Sequence, residues 1–151
     1  MIWRYQNNGN ETGLRSKSRV FELMLQFHAD EKLQANKDNS IIKEKLRLGE
    51  ISETINANKQ NRHIKGSRGY IDGRSYLDGD LAEAQRLVDA LSTTGEAVFD
   101  RNGNWKNKER VVSDNFIGTH VDNENGKETR TKAAVIVYSK TGSHIYPRKV
   151  E

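Results

Sequence analysis

Apolar positions in the first third of the chain recur at helical spacing. Leu14, Phe21, Leu25 and His28 share a stripe that Val20, Met24 and Phe27 widen. Asn36 to Ser40 breaks the pattern. A second helical run is expected with Ile41, Leu48, Ile51 and Ile55 on one side, interrupted at Gly49. From Asn58 to Gly79 the chain turns rich in Asn, Gly, Ser, Arg and Tyr, which predicts an ordered loop with short extended pieces. Leu81, Ala84, Leu87, Val88 and Leu91 then share one face of a short helix. Asp80 is placed to cap it, Glu83 lies in capping-box register, and Gly95 is expected to stop it.

Beyond Gly95 the period changes from helical to alternating, as in an antiparallel meander. Glu96 to Phe99 predicts a strand, and Asn102-Gly103 marks a tight turn. Arg110 to Val112 and Phe116 to Val121 are further strand candidates, and Asn123 to Gly126 is a second hairpin turn. Thr131 to Tyr138, β-branched and apolar on both faces, reads as one central strand. Lys140-Thr141-Gly142 leads into a last strand, His144-Ile145-Tyr146, whose end at Pro147 suits a sheet edge. Helices first and a twisted antiparallel sheet of about four strands second predict an α+β fold. Residues 1–54 are expected to be a helical segment, either a carrier remnant or a cap, and residues 55–151 a separate functional domain.

Composition narrows the chemistry. The chain has 151 residues, 34% hydrophobic and 30% charged, so a small core is expected. It has no cysteine, which excludes disulfide scaffolds, thiolate metal sites and cysteine nucleophiles. No apolar stretch reaches the ~20 residues of a membrane span, so no membrane partner is expected. Met1 to Gln6 does not read as a secretion signal, and export is expected to depend on a carrier. The net charge of +4 is modest, but Lys59, Arg62, Lys65, Arg68 and Arg74 cluster, and Lys140, Arg148 and Lys149 form a second basic stretch. Two such segments brought together would track a phosphate backbone, whereas two separate solvated loops would not.

The four histidines, at 28, 63, 120 and 144, show no short metal-ligand spacing, and no phosphate-binding glycine loop or nucleophile elbow is present. No metal or other cofactor is expected. What remains is a pair of polar segments, Gln60 to Gly66 with Gly73 to Leu77, and Tyr138 to Ile145. Each supplies a histidine, a cation and hydroxyls, the minimum set for cleaving RNA without metal. One imidazole would take the ribose 2′-OH proton and another acid would protonate the leaving 5′-oxygen, while cations hold the phosphate. The same residues also fit a non-catalytic nucleic-acid-binding or phage structural module.

These segments resemble the bacterial polymorphic toxin type 50 family. The resemblance runs through Lys59-Gln60-Asn61-Arg62-His63-Ile64-Lys65-Gly66, Gly73-Arg74-Ser75-Tyr76-Leu77 and Thr94-Gly95-Glu96. It continues through Gly103-Asn104-Trp105-Lys106-Asn107-Lys108-Glu109, Ile117-Gly118 and Tyr138 to Pro147. The family is similar to the superfamily joining barnase, EndoU and RelE, which implies a metal-independent endoribonuclease toxin. By that resemblance His63 and His144 are the acid–base pair, with neither role assigned to either ring. Arg74, Lys65 and Lys140 are the phosphate and transition-state cations, and Ser75, Ser139 and Thr141 are hydroxyl donors. Arg62, Tyr76, Tyr138 and Ser143 complete the expected substrate contacts, Ser143 standing where the family pattern has threonine. His120 is expected to lie outside the site. Trp105 is expected to anchor a hairpin to the core, while Tyr76 is open to base stacking. The implied partners are RNA, a cognate immunity protein with acidic residues, and a larger phage or secreted carrier that delivers the domain to bacterial cytoplasm.

Overall fold

A computed structural model describes residues 39–150, and the helical stripe expected from Leu14 to His28 lies outside them. Helix α1 (Ser40–Arg47) buries Ile42 completely. It does not run on to Ile55. Gly49 terminates it: the Glu50 N–H reaches back to the Lys45 carbonyl at 3.0 Å and the Gly49 N–H to the Leu46 carbonyl at 3.1 Å. Ile51 and Ile55 therefore sit on an extended segment, where Ser52 bridges to Ser139 and Ile55 to Ser143. Ile42 and Ile51, both before residue 55, belong to the same hydrophobic cluster as the rest of the core.

The next turn of helix, α2 (Ala57–Gln60), starts at Asn56, whose side chain accepts from the Lys59 N–H, and tightens into a 3-10 turn over Asn61–His63. Strand β1 (Tyr76–Leu77) follows, then helix α3 (Leu81–Leu91), capped by Asp80 accepting from the Glu83 N–H at 3.1 Å. The Glu83 carboxylate turns to Arg86, so only half of the capping box forms. The stop is not Gly95. The helix ends at Leu91, and Thr93 takes the left-handed conformation at φ 67°.

The strands are β2 (Glu96–Phe99), β3 (Trp105–Val112), β4 (Gly118–Val121), β5 (Glu128–Thr131), β6 (Ala133–Val137) and β7 (His144–Pro147). They form two antiparallel sheets rather than one meander: four strands in the order β2-β3-β6-β7, and three in the order β1-β4-β5. The expected single strand over 131–138 is divided between them. The chain leaves one sheet at Thr131 and enters the other at Ala133; Thr131 Oγ1 accepts from the Ala133 N–H and donates to the Arg148 carbonyl, fixing the crossover. Strand β6 is central in its sheet, and β7, ending in Pro147, is an edge. The fold is α+β.

One face of the four-stranded sheet carries Ala97, Val111, Ala134, Ile136 and Ile145 into the core with Ala84, Leu87 and Val88 of α3. Into this apolar layer the sequence places a carboxylate. Glu109 is fully buried, accepting from the Thr93 N–H (3.0 Å), the Gly95 N–H (2.7 Å) and the Tyr138 hydroxyl (2.6 Å). Three donors in place of water make that burial tolerable. Thr93 keeps its left-handed backbone because Glu109 holds its N–H and the Asn39 side chain donates to its carbonyl. Gly95 is glycine for contact, since a Cβ there would lie 1.8 Å from the Arg110 carbonyl oxygen.

The edge strand β7 is closed by the segment before it in sequence. Gln60 is fully buried, its amide nitrogen donating to the Ile145 carbonyl (2.9 Å) and its amide oxygen accepting from the Ile145 N–H (2.7 Å). Nearby, the Asn56 N–H reaches the Ser143 carbonyl and the Ser143 N–H the Thr54 carbonyl, both at 2.8 Å. Gly142, at φ +125°, lets this loop approach; a Cβ would meet the Thr54 oxygen at 2.9 Å. Replacing Gln60 with Ala leaves both buried Ile145 backbone groups unpaired, so a loss of roughly 2–4 kcal/mol in unfolding free energy is expected in a urea titration. A loss below half a kcal/mol would show that the clamp carries no stability.

Candidate active site

The second face of the four-stranded sheet, opposite the core, carries the candidate site residues of two strands. Residues two apart on a strand share a face, so Lys108 and Arg110 on β3 and His144 and Tyr146 on β7 point the same way. Register puts Lys108, Val137 and His144 in one row and Arg110, Val135 and Tyr146 in the next. Lys108 is aimed by an irregularity. Between Val98↔Lys108 and Phe99↔Trp105 the β3 strand carries extra residues, with Asn107 left-handed at φ 60°. Trp105 packs against the core, its indole N–H donating to the Lys108 carbonyl at 2.9 Å, the anchoring role expected for it.

His63, His144, Lys108, Arg74, His120 and Arg148 are among the residues lining one cavity of about 550 Å³. The His63 and His144 rings stack, 5.8 Å between centroids and 8° between planes, and the Tyr146 ring lies beside His144, 5.1 Å from His63 and 6.3 Å from His144. His63 is 5% exposed, and its Nδ1 sits 2.8 Å from the Ser75 carbonyl oxygen. A carbonyl only accepts, so Nδ1 carries the proton and the Nε2 lone pair is left for the cavity. In His144 the pattern is opposite: Nδ1 is buried with no partner. A proton there would be an unsatisfied buried donor, so the neutral ring favours Nε2–H. Burial pushes the His63 pKa below its ordinary value, offset in part by the bond to Ser75, with the Arg74 and Arg62 charges lowering it further. His144 is pushed down to about 4, by burial first and then by His63, Lys59, Arg62 and Lys108.

Ser75, an expected hydroxyl donor, is buried, and its Oγ accepts from the Val121 N–H (2.9 Å) and lies 3.4 Å from His120 Nδ1. It holds His63 through its carbonyl and faces His120 through its hydroxyl. Other expected residues fall elsewhere. Lys140 and Thr141 are exposed on the loop between β6 and β7 and do not line the cavity, and Ser139 Oγ donates to the Gly142 carbonyl at 2.5 Å. Ser143 is fully buried and donates to the Ser52 carbonyl at 2.5 Å. Tyr138 is 1% exposed, its hydroxyl spent on Glu109 and Ser92. Arg62 and Lys65 are exposed; Lys65 Nζ covers the Tyr76 ring at 4.7 Å while the Tyr76 hydroxyl donates to Glu128. That leaves one Tyr76 face covered rather than open to a base. His120, expected outside, lines the cavity, as do Lys108 and Tyr146, which the sequence reading leaves without a role, and Arg148 of the second basic stretch. The alternation 108/110 and 144/146/148 was the signal for them.

Among the described residues no group of three or more histidines and acids is arranged to hold a metal, and no helix is long and apolar enough to cross a membrane. The depressed histidines have a consequence for stability. A ring whose folded pKa lies below its unfolded value of ~6.5 leaves the unfolded chain binding more protons between the two values. Stability is therefore full above pH 6.5 and falls as pH drops toward about 4. Thermal melts over that range are expected to show a falling midpoint, with a shallower fall in His144→Asn; equal slopes would contradict the reading.

No curated protein matches the chain. A family model described as bacterial toxin 50 matches residues 55–147. That span holds His63, His144, Ser75, Lys108 and the Gln60 clamp, and it covers more than half of the sequence, so the chain belongs to the bacterial toxin 50 family.

Proposed function

We propose that this domain is a metal-independent endoribonuclease toxin. The observation that carries the reading is the stacked His63–His144 pair lining a cavity with Arg74 and Lys108, His63 being held through Nδ1 by the Ser75 carbonyl. His63 Nε2 takes the proton of a ribose 2′-OH as O2′ bonds to phosphorus. The bond from phosphorus to O5′ breaks, and His144, entering the step as imidazolium, gives its Nε2 proton to the leaving oxygen and ends neutral. The products are a 2′,3′-cyclic phosphate and a 5′-hydroxyl. Arg74 and Lys108 stabilise the charge gathering on the phosphate oxygens, Arg74 with paired donors. Lys140, Ser139 and Thr141, outside the cavity, serve substrate approach rather than the reacting phosphate in this scheme.

The exposed cations around the cleft, Arg62 and Arg74 among them, suit a cognate immunity protein that plugs it with acidic side chains. A larger phage or secreted carrier would deliver the domain to the bacterial cytoplasm, where RNA is the target.

Purified protein is expected to cut RNA in excess chelator and leave cyclic or 3′-phosphate ends, with His63→Ala and His144→Ala each reducing the rate by about 10²-fold or more. Intact tRNA, rRNA and messenger substrates would overturn the proposal, and salt-dependent binding without scission would identify a nucleic-acid-binding module instead. The pH profile gives a separate check. Productive free enzyme needs neutral His63 and protonated His144, so kcat/KM should peak below pH 6.5 and fall on the alkaline side. Lys108→Ala removes a charge that lowers the His144 pKa; it should reduce kcat/KM while moving the alkaline limb to higher pH.

A further inference from the structure

The cavity face of the sheet continues past the histidines. After the rows Lys108–Val137–His144 and Arg110–Val135–Tyr146 comes Val112–Ala133, extended by the Arg148 N–H, which donates to the Ala133 carbonyl at 3.0 Å. Each row presents one cation: Lys108, then Arg110, then Arg148. Successive rows are two residues apart, about 6.6 Å, close to one phosphate-to-phosphate step of an extended single strand. A second hollow of about 340 Å³ lies here, lined by Thr94, Gly95, Glu96, Arg110, Val112 and Arg148, and Arg148 lines the histidine cavity as well. Neither Arg110 nor Arg148 takes part in the ion pairs among the described residues. Arg148 Nε is buried without a partner, and Val112 is 63% exposed.

Arg148 Nη1 donates to the Lys149 carbonyl at 3.3 Å, and guanidinium groups with no carboxylate partner, bordering an exposed apolar side chain, are what a phosphate with an attached base requires. We propose that this hollow is a nucleotide subsite, binding the phosphodiester next to the cleaved one between Arg110 and Arg148, with its base against Val112. The Glu96 carboxylate repels phosphate from the β2 side and leaves the space between the two arginines as the anion position. The subsite rests on the RNA reading of the cavity and gives the track a direction, from the histidine pair across the sheet toward β2 and the end of β7.

The test uses fluorescently labelled 2′-O-methyl oligonucleotides of one to four residues, whose masked 2′-oxygen prevents cleavage, with binding followed by anisotropy. For the full chain, affinity should rise about tenfold at the length that adds the second phosphate. Arg110→Ala should abolish that step, leave mononucleotide binding and the thermal midpoint unchanged, and lower the salt slope for the longer ligands by about 0.7. A length step that persists in Arg110→Ala, or the absence of any step in the unaltered chain, overturns the subsite. Length-dependent, Arg110-dependent binding without cleavage of ordinary RNA would retain the subsite and remove the ribonuclease reading. Cleavage that is indifferent to Arg110 would do the reverse.

Discussion

The site depends on a pair of hydrogen bonds made by one side-chain amide. Gln60 occupies both backbone groups of Ile145, and Ile145 is the residue between His144 and Tyr146. Three residues after Gln60 the same segment delivers His63. The clamp therefore closes the exposed side of an edge strand and at the same time sets the separation of the two rings. Such a strand left open invites pairing with another chain. Here that side is used to hold a histidine-bearing turn, reinforced by the contacts of Ser143 with Thr54 and Ser52.

Burial then sets the electronic character of each ring. Low exposure drives both imidazoles toward the neutral form, and their neighbours decide where the remaining proton lies: the Ser75 carbonyl fixes it on His63 Nδ1, and the buried, unpartnered Nδ1 of His144 disfavours it there. Two identical side chains become unlike because one has an acceptor behind it and the other has none. Lys108 deepens the difference by lowering the His144 pKa, and it reaches the cavity because Asn107 takes up the bulge of β3.

Much of the fold was legible where local chemistry and tertiary packing agree. Asp80 caps its helix as its type and position demand, Glu96 to Phe99 forms the expected strand, and Pro147 ends an edge. Ile51 and Ile55 mimic helical spacing, but the chain reverses at Gly49, and long-range bridges to Ser139 and Ser143 decide their conformation. The division of 131–138 between two sheets had no Gly or Pro to announce it, only a hydroxyl turn at Thr131. In the site, the histidine segments stood out by composition, and the structure brings them to one cavity. The hydroxyls of Ser139, Ser143 and Tyr138 stood out for the same reason yet are consumed by backbone and carboxylate partners. Lys108, His120 and Arg148 reach the cavity through strand alternation and sheet pairing, information that no single segment holds.

The central claim is that His63 and His144 are opposed tautomers facing one anion-binding cavity. Long-range proton–nitrogen correlation spectra of the histidine rings at neutral pH, with and without a nucleoside 3′-monophosphate, test it most directly. The account predicts a protonated Nδ1 for His63 and a protonated Nε2 for His144 in the free protein, with both Nε2 signals moving when the nucleotide binds. The same tautomer in both rings, or a nucleotide that leaves both unmoved, would contradict it.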